Sequence, residues 1–123
     1  MANMKIAVTA QGPELTSDVD TRFGRARWIV VVDTDTGESQ ARDNKVNLTL
    51  SQGAGIQTGQ NVANLDVEAV VTGNVGPNAY KTLAAGKVRI FLVSGGTVEQ
   101  AVAAFKQGQL EEVQQANVEG HWV

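Results

Sequence analysis

Val67-Glu68-Ala69-Val70-Val71-Thr72-Gly73-Asn74-Val75-Gly76-Pro77 runs from a β-branched apolar segment, through a glycine-rich turn, to a proline placed where a helix begins. Valine and threonine favour a pleated strand. Pro77 suits a first helical turn, because the N–H it lacks has no intrahelical partner there. A strand that feeds straight into a helix is half of a β-α-β crossover, and crossovers join parallel strands. The same grammar recurs downstream. Lys87 to Val93 reads as a strand and Ser94-Gly95-Gly96-Thr97 as a turn; Thr97 and Gln100 have the spacing of a capping box on the next helix.

Upstream of this stretch the pattern changes. Lys5-Ile6-Ala7-Val8-Thr9-Ala10 is a first strand stopped by Gln11-Gly12-Pro13, and Trp28-Ile29-Val30-Val31-Val32 is a second. The second shows no alternation, so both of its faces are covered and it belongs inside a sheet. Asp35-Thr36-Gly37 is turn chemistry, and the polar run Glu38 to Asn44 reads as an exposed edge strand joined by a hairpin. A first helix follows Ser51-Gln52-Gly53, with Ser51 or Gly53 at its start and an apolar stripe of Ile56, Val62, Ala63 and Leu65. The second helix runs from Pro77 to Ala85 and ends at Gly86; the third carries Val98, Ala101, Val102 and Phe105 on one face and stops at Gly108. The order β-β-β-α-β-α-β-α with right-handed crossovers predicts an α/β fold. Its sheet is mixed and five-stranded in the order 3-2-1-4-5, with strand 2 antiparallel and helices on both faces, as in the ribonuclease H-like fold. The polar remainder through Gly120-His121-Trp122-Val123 takes no assigned element.

In that layout the loops leaving strands 1, 4 and 5 gather on one rim. They are 11–27, Gly73 to Pro77 and Gly95 to Thr97. Helix N-termini at such a rim offer N–H groups and positive dipole ends, which suit an anion. Arg22-Phe23-Gly24-Arg25, with Arg27 close behind, adds guanidinium forks that match planar or polyanionic ligands. Phe23 reads as a wedge packing the loop on the core, and Gly24 as a point of positive φ or close backbone approach. The expected anion-holding residues are Arg22, Phe23, Gly24, Arg25, Gly73, Asn74, Val75, Gly76, Gly95 and Gly96. His121 is the sole histidine and the one candidate metal ligand.

Other chemistries fit poorly. Gly53-Ala54-Gly55-Ile56-Gln57-Thr58-Gly59 is one residue too long for a dinucleotide fingerprint and follows no buried strand. The Gly73 to Pro77 turn lacks the Lys-Ser/Thr ending of a P-loop. Two-metal nuclease chemistry needs carboxylates at the active rim, yet strand 1 has none and Asp66 and Glu68 lie at the far end of strand 4. No nucleophile elbow is present, and no cysteine among the 123 residues to serve as thiolate ligand or nucleophile. A hydrophobic share of 42% and a charged share of 19% are those of a globular chain, here read as one domain over 1–123. A net charge of -3 does not favour nucleic acid. The apolar runs are far shorter than the roughly 20 residues that cross a bilayer. The chain is therefore expected to be cytoplasmic and monomeric, with no membrane or nucleic-acid partner.

Taken together, Arg22-Phe23-Gly24-Arg25, Gly53-Ala54-Gly55-Ile56-Gln57 and Thr72-Gly73-Asn74-Val75-Gly76-Pro77-Asn78-Ala79 resemble the dinitrogenase iron–molybdenum cofactor biosynthesis family. Its members include NifX-like proteins and the carboxyl-terminal domain of NifB-like proteins. The resemblance spans Met4 to about Gly108. It implies a ribonuclease H-like fold and binding of iron–sulfur or molybdenum–sulfur clusters or their precursors. Arg22 stands where many relatives have histidine, so retention by positive charge and hydrogen bonds is expected in place of direct ligation. The expected function is a non-enzymatic carrier of an anionic metal–sulfur cluster, held non-covalently, with cluster-assembly proteins as partners. The alternative is a small interaction adaptor in cluster assembly with no ligand of its own. An enzyme acting on a phosphorylated or nucleotide substrate is a third reading.

Overall fold

The structure, a computed structural model, describes residues 4–45 and 54–114. Six strands form one mixed sheet in the order β3-β2-β1-β4-β5-β6. They are β1 Lys5–Ala10, β2 Trp28–Asp33, β3 Ser39–Asp43, β4 Ala69–Thr72, β5 Arg89–Leu92 and β6 Glu111–Glu112. Among the described residues the helices are α1 Ala54–Ala63, α2 Pro77–Ala85 and α3 Val98–Lys106, with a short 3-10 helix at Phe23–Arg25. β1 lies antiparallel to β2 and parallel to β4, and β4 is parallel to β5, as the crossovers require.

Alternation along the strands divides the core into two layers. Ala7, Ile29, Val70 and Ile90 face α1 and α2, meeting Val62, Ala79 and Leu83. Ile6, Val8, Val30, Val32 and Val71 face the other way, toward Val98 and Ala101 of α3. Each fully buried Val, Leu, Ile or Phe side chain contributes about 1.5–3 kcal/mol through removal from water. β1 is buried from Ile6 to Ala10 because it has a strand on either side and covered faces above and below.

The expected five-stranded sheet is corrected to six. The additional strand, β6, comes from the stretch left without an element, and pairs antiparallel with Phe91 and Leu92 of β5. Nothing in a pair of glutamates announces a strand; β6 is held by its neighbour. Arg89 places Nε 3.0 Å and Nη2 2.7 Å from the two carboxylate oxygens of Glu112. Val113 N–H donates to Ile90 O, and Tyr80 Oη donates to Gln114 O. Strands 4 and 5 also start later than expected, at Ala69 and Arg89. Asp66 and Lys87 sit in the left-handed region (φ 63° and 62°), so the chain is still turning there. The possible starts of the first helix at Ser51 or Gly53 lie outside the described residues.

Candidate functional site

The loop after β1 does not project into solvent. It doubles back: Gln11 N–H donates to Asp18 O, Asp20 N–H donates to Thr9 O, and Ala10 bridges Val19. The buried Thr9 hydroxyl lies 2.7 Å from Asp20 O and 2.8 Å from Thr72 Oγ1. Having one proton, it donates to one oxygen and accepts at the other. The ends of β1 and β4 and the returning loop are thereby pinned together.

From that point the loop reaches both neighbours. Toward α2, Phe23 N–H donates to Asn74 O at 3.2 Å, and Asn74 Nδ2 donates to Thr21 O at 3.1 Å. Gly73 makes this contact feasible: a Cβ there would lie 2.5 Å from Thr21 Cβ. Toward α3, Val19 N–H donates to Gly96 O, and Asp18 bridges Thr97. Thus the three expected segments share one rim.

Their helix ends are not equivalent. At α3 the capping box forms as its spacing predicts, with Thr97 Oγ1 accepting from Gln100 N–H and Gln100 Oε1 accepting from Thr97 N–H. Val98 N–H and Glu99 N–H donate to Ser17 O and Leu15 O. The first-turn donors of α3 therefore serve the loop, and Gly95 and Gly96 act as the turn itself (φ 154° and 92°). At α2 the N-cap is Gly76, which has no side chain to cap with, and Pro77 follows. The α2 terminus therefore has no side-chain cap, unlike that of α3.

The three arginines also part company. Arg27 stacks over Trp28 at 5.1 Å and approaches Asp43 at 3.5 Å. Arg22 is well exposed, with Nε 3.6 Å from the buried Asp20 carboxylate. Arg25 is half-buried at the end of the 3-10 helix and has no ion pair among the described residues. Phe23 is fully buried with Val62, Ala79 and Leu83, so its ring anchors the segment. Val75 is also fully buried. His121 lies outside the described residues, and among those described no group of three His, Asp or Glu side chains could hold a metal.

Beside the rim lies a groove of about 680 Å³. It is walled by Thr21, Gly73 and Asn74, by Leu92 to Ser94, and lastly by Gln109 to Glu111. The last wall was missed from sequence because it leads into β6. Arg89 holds the Glu112 carboxyl below its ordinary range, by hydrogen bonding and charge, and Glu112 raises Arg89 in turn. No described helix is long and apolar enough to cross a membrane.

Comparison with known proteins bears on this arrangement. The dinitrogenase iron-molybdenum cofactor family matches residues 4–108. The orange protein of Desulfovibrio gigas, solved in its apo form, is 41% identical with a TM-score of 0.90; the match covers 95% of this chain and 98% of that one. A NifB-like protein of Thermotoga, placed in the DUF35 family, is 34% identical with a TM-score of 0.82, over 95% and 99% of the two chains. An uncharacterized protein of Methanocaldococcus jannaschii is 24% identical over 111 residues, 89% of this chain and 91% of its own.

Proposed function

The chain belongs to the dinitrogenase iron-molybdenum cofactor family, and from that premise we propose that it is a non-enzymatic carrier for an anionic metal–sulfur cluster or its precursor during cofactor assembly or trafficking. The observation that carries the reading is the joining of three loops into one rim, with Arg22 beside Asn74 at its centre.

The donor set suits cargo that brings its own sulfide. With no cysteine among the 123 residues, protein thiolates do not complete the metal coordination. Guanidinium groups and backbone N–H groups can instead hold the outer sulfur atoms, and charge-assisted hydrogen bonds are the stronger class. In this reading Arg25 and Arg22 neutralise charge, and the backbones of Gly24 and of Gly73 to Gly76 donate. Phe23 and Val75 fix those backbones from below, and Gly95 and Gly96 shape the adjoining turn. The rim hydroxyls of Thr9 and Thr72 are buried and bonded to each other, a structural use. Cluster-assembly proteins are the expected donors and acceptors of the cargo.

The test is anaerobic incubation with tetrathiomolybdate, alone and with ferrous iron and sulfide, followed by gel filtration, metal analysis and visible absorbance. Metal co-eluting with the protein, amide shifts confined to the three loops, and at least a fivefold loss of affinity in Arg25→Ala are expected. Elution free of metal under every condition would overturn the reading.

A further inference from the structure

A rim that holds anions should not contain a buried carboxylate, yet Asp20 is 5% exposed and lies within it. Its backbone is fixed on both sides of Cα, with N–H donating to Thr9 O and C=O accepting from the Thr9 hydroxyl. Its Oδ1 accepts the Arg22 backbone N–H at 3.0 Å and faces Arg22 Nε at 3.6 Å. A backbone donor and a guanidinium converging on one oxygen is the arrangement a bound anion would enjoy. The side chain thus occupies an anion's contacts from within.

The ion pair is loose. Arg22 has a side chain 58% exposed, presents only Nε to Asp20, and has no hydrogen bond from its terminal nitrogens among the described residues. With the guanidinium exposed and 3.6 Å from the carboxylate, it can exchange partners while the Arg22 N–H stays on Asp20 Oδ1. Arg22 also bridges Asn74, so its backbone is held against the β4–α2 loop whichever partner its guanidinium takes.

We infer that the Asp20 carboxylate is an internal competitor for Arg22: it holds the guanidinium in the empty carrier and yields it to incoming anionic cargo. The inference rests on the carrier reading and adds how that site is regulated. A carboxylate fixed a few ångströms from a bound anion repels it, so Asp20 lowers affinity and favours hand-over to an acceptor. Asp20 is a positioning and affinity-setting residue; it need not touch the cargo.

The experiment measures tetrathiomolybdate binding by anaerobic equilibrium dialysis for the wild-type chain, Asp20→Asn, Asp20→Ser, Arg22→Gln and the Asp20→Asn/Arg22→Gln double variant. Asparagine and serine both keep an oxygen for the Arg22 N–H and remove the charge, so the turn is preserved while the competitor is lost. Binding about tenfold tighter in both Asp20 variants is expected, about 1.4 kcal/mol. At least half of that gain should vanish in the Arg22→Gln background, which a purely structural role would not produce. Equal or weaker binding in the Asp20 variants, with wild-type binding intact, overturns the inference alone. A gain that is undiminished without Arg22 also overturns it. Binding by none of the variants, the wild type included, overturns the carrier reading and this inference with it.

Discussion

Replacing Gly73 with alanine tests the seam on which the rim depends. The added Cβ would lie 2.5 Å from Thr21 Cβ, 2.7 Å from Thr21 Cα and 2.9 Å from Thr21 Cγ2. Carbon atoms rest at about 3.5–4.0 Å, so the two loops must part by roughly 1 Å. Turning the threonine side chain cannot relieve the contact, because one of the opposing atoms is backbone. Overpacking of this kind costs about 1–3 kcal/mol. Separation also strains the bonds from Asn74 Nδ2 to Thr21 O and from Phe23 N to Asn74 O, each worth about 1 kcal/mol. A loss of about 2–4 kcal/mol is expected in urea unfolding, with an unchanged m-value and shifted amide signals at Thr21, Phe23 and Asn74. Gly12→Ala is the matched control. There the close atom is Ser17 Oγ at 2.5 Å, the end of a side chain that can rotate away, so the loss should stay below about 1 kcal/mol. A Gly73→Ala protein as stable as wild type, with those amide signals unmoved, would show that the loops do not abut and would refute the argument.

Other outcomes follow from the same structure. Phe23→Ala removes a fully buried ring and should cost about 3–5 kcal/mol in denaturant unfolding. Thr97→Ala breaks the capping box of α3 and should cost about 1 kcal/mol, read as a lower urea midpoint. The lowered Glu112 pKa means that its contribution to docking β6 is present above the ordinary carboxylate range and is lost as pH falls through the lowered value. The Val113 amide should therefore exchange relatively faster than the Val71 amide as the solution is acidified, once the intrinsic pH dependence is removed. Glu112→Gln should abolish that dependence; retention of it would place the titration elsewhere. The raised Arg89 value acts in the opposite direction and matters only far above neutral pH.

Local chemistry accounts for which elements were legible in the sequence. β1 and α2 match their readings at both ends, Lys5–Ala10 and Pro77–Ala85, because turn residues bound the first and proline and glycine bound the second. β6 was invisible because the Arg89 fork and the β5 edge hold it, and its own residues carry no strand signal. The gathering of three loops on a rim could be read from the order of strands and helices. The destination of each donor could not: the Val98 and Glu99 amides meet Ser17 and Leu15 only after the first loop has folded back. Register could have settled one pairing. The hairpin sets Trp28 opposite Asp43, and that places Arg27 beside Asp43. The burial of Asp20 had a weak signal at most: Val19 beside it is one of two apolar residues, with Leu15, in an otherwise polar loop.

The Thr9–Thr72 hydroxyl pair joins residues 63 apart in the chain, and the Asn74–Thr21 bond joins residues 53 apart. A polypeptide emerging from the ribosome can pair β1 with β2 and β2 with β3 early, since those contacts are local. It cannot begin to assemble the rim until β4 and the following turn have been synthesised, nor complete it before Gly95 to Thr97. Any truncated product ending before residue 72 would retain all three arginines of the first loop and still lack the surface that gathers them. The order of synthesis is thus built into the topology: the first loop waits, with its arginines, for the later strands that position it.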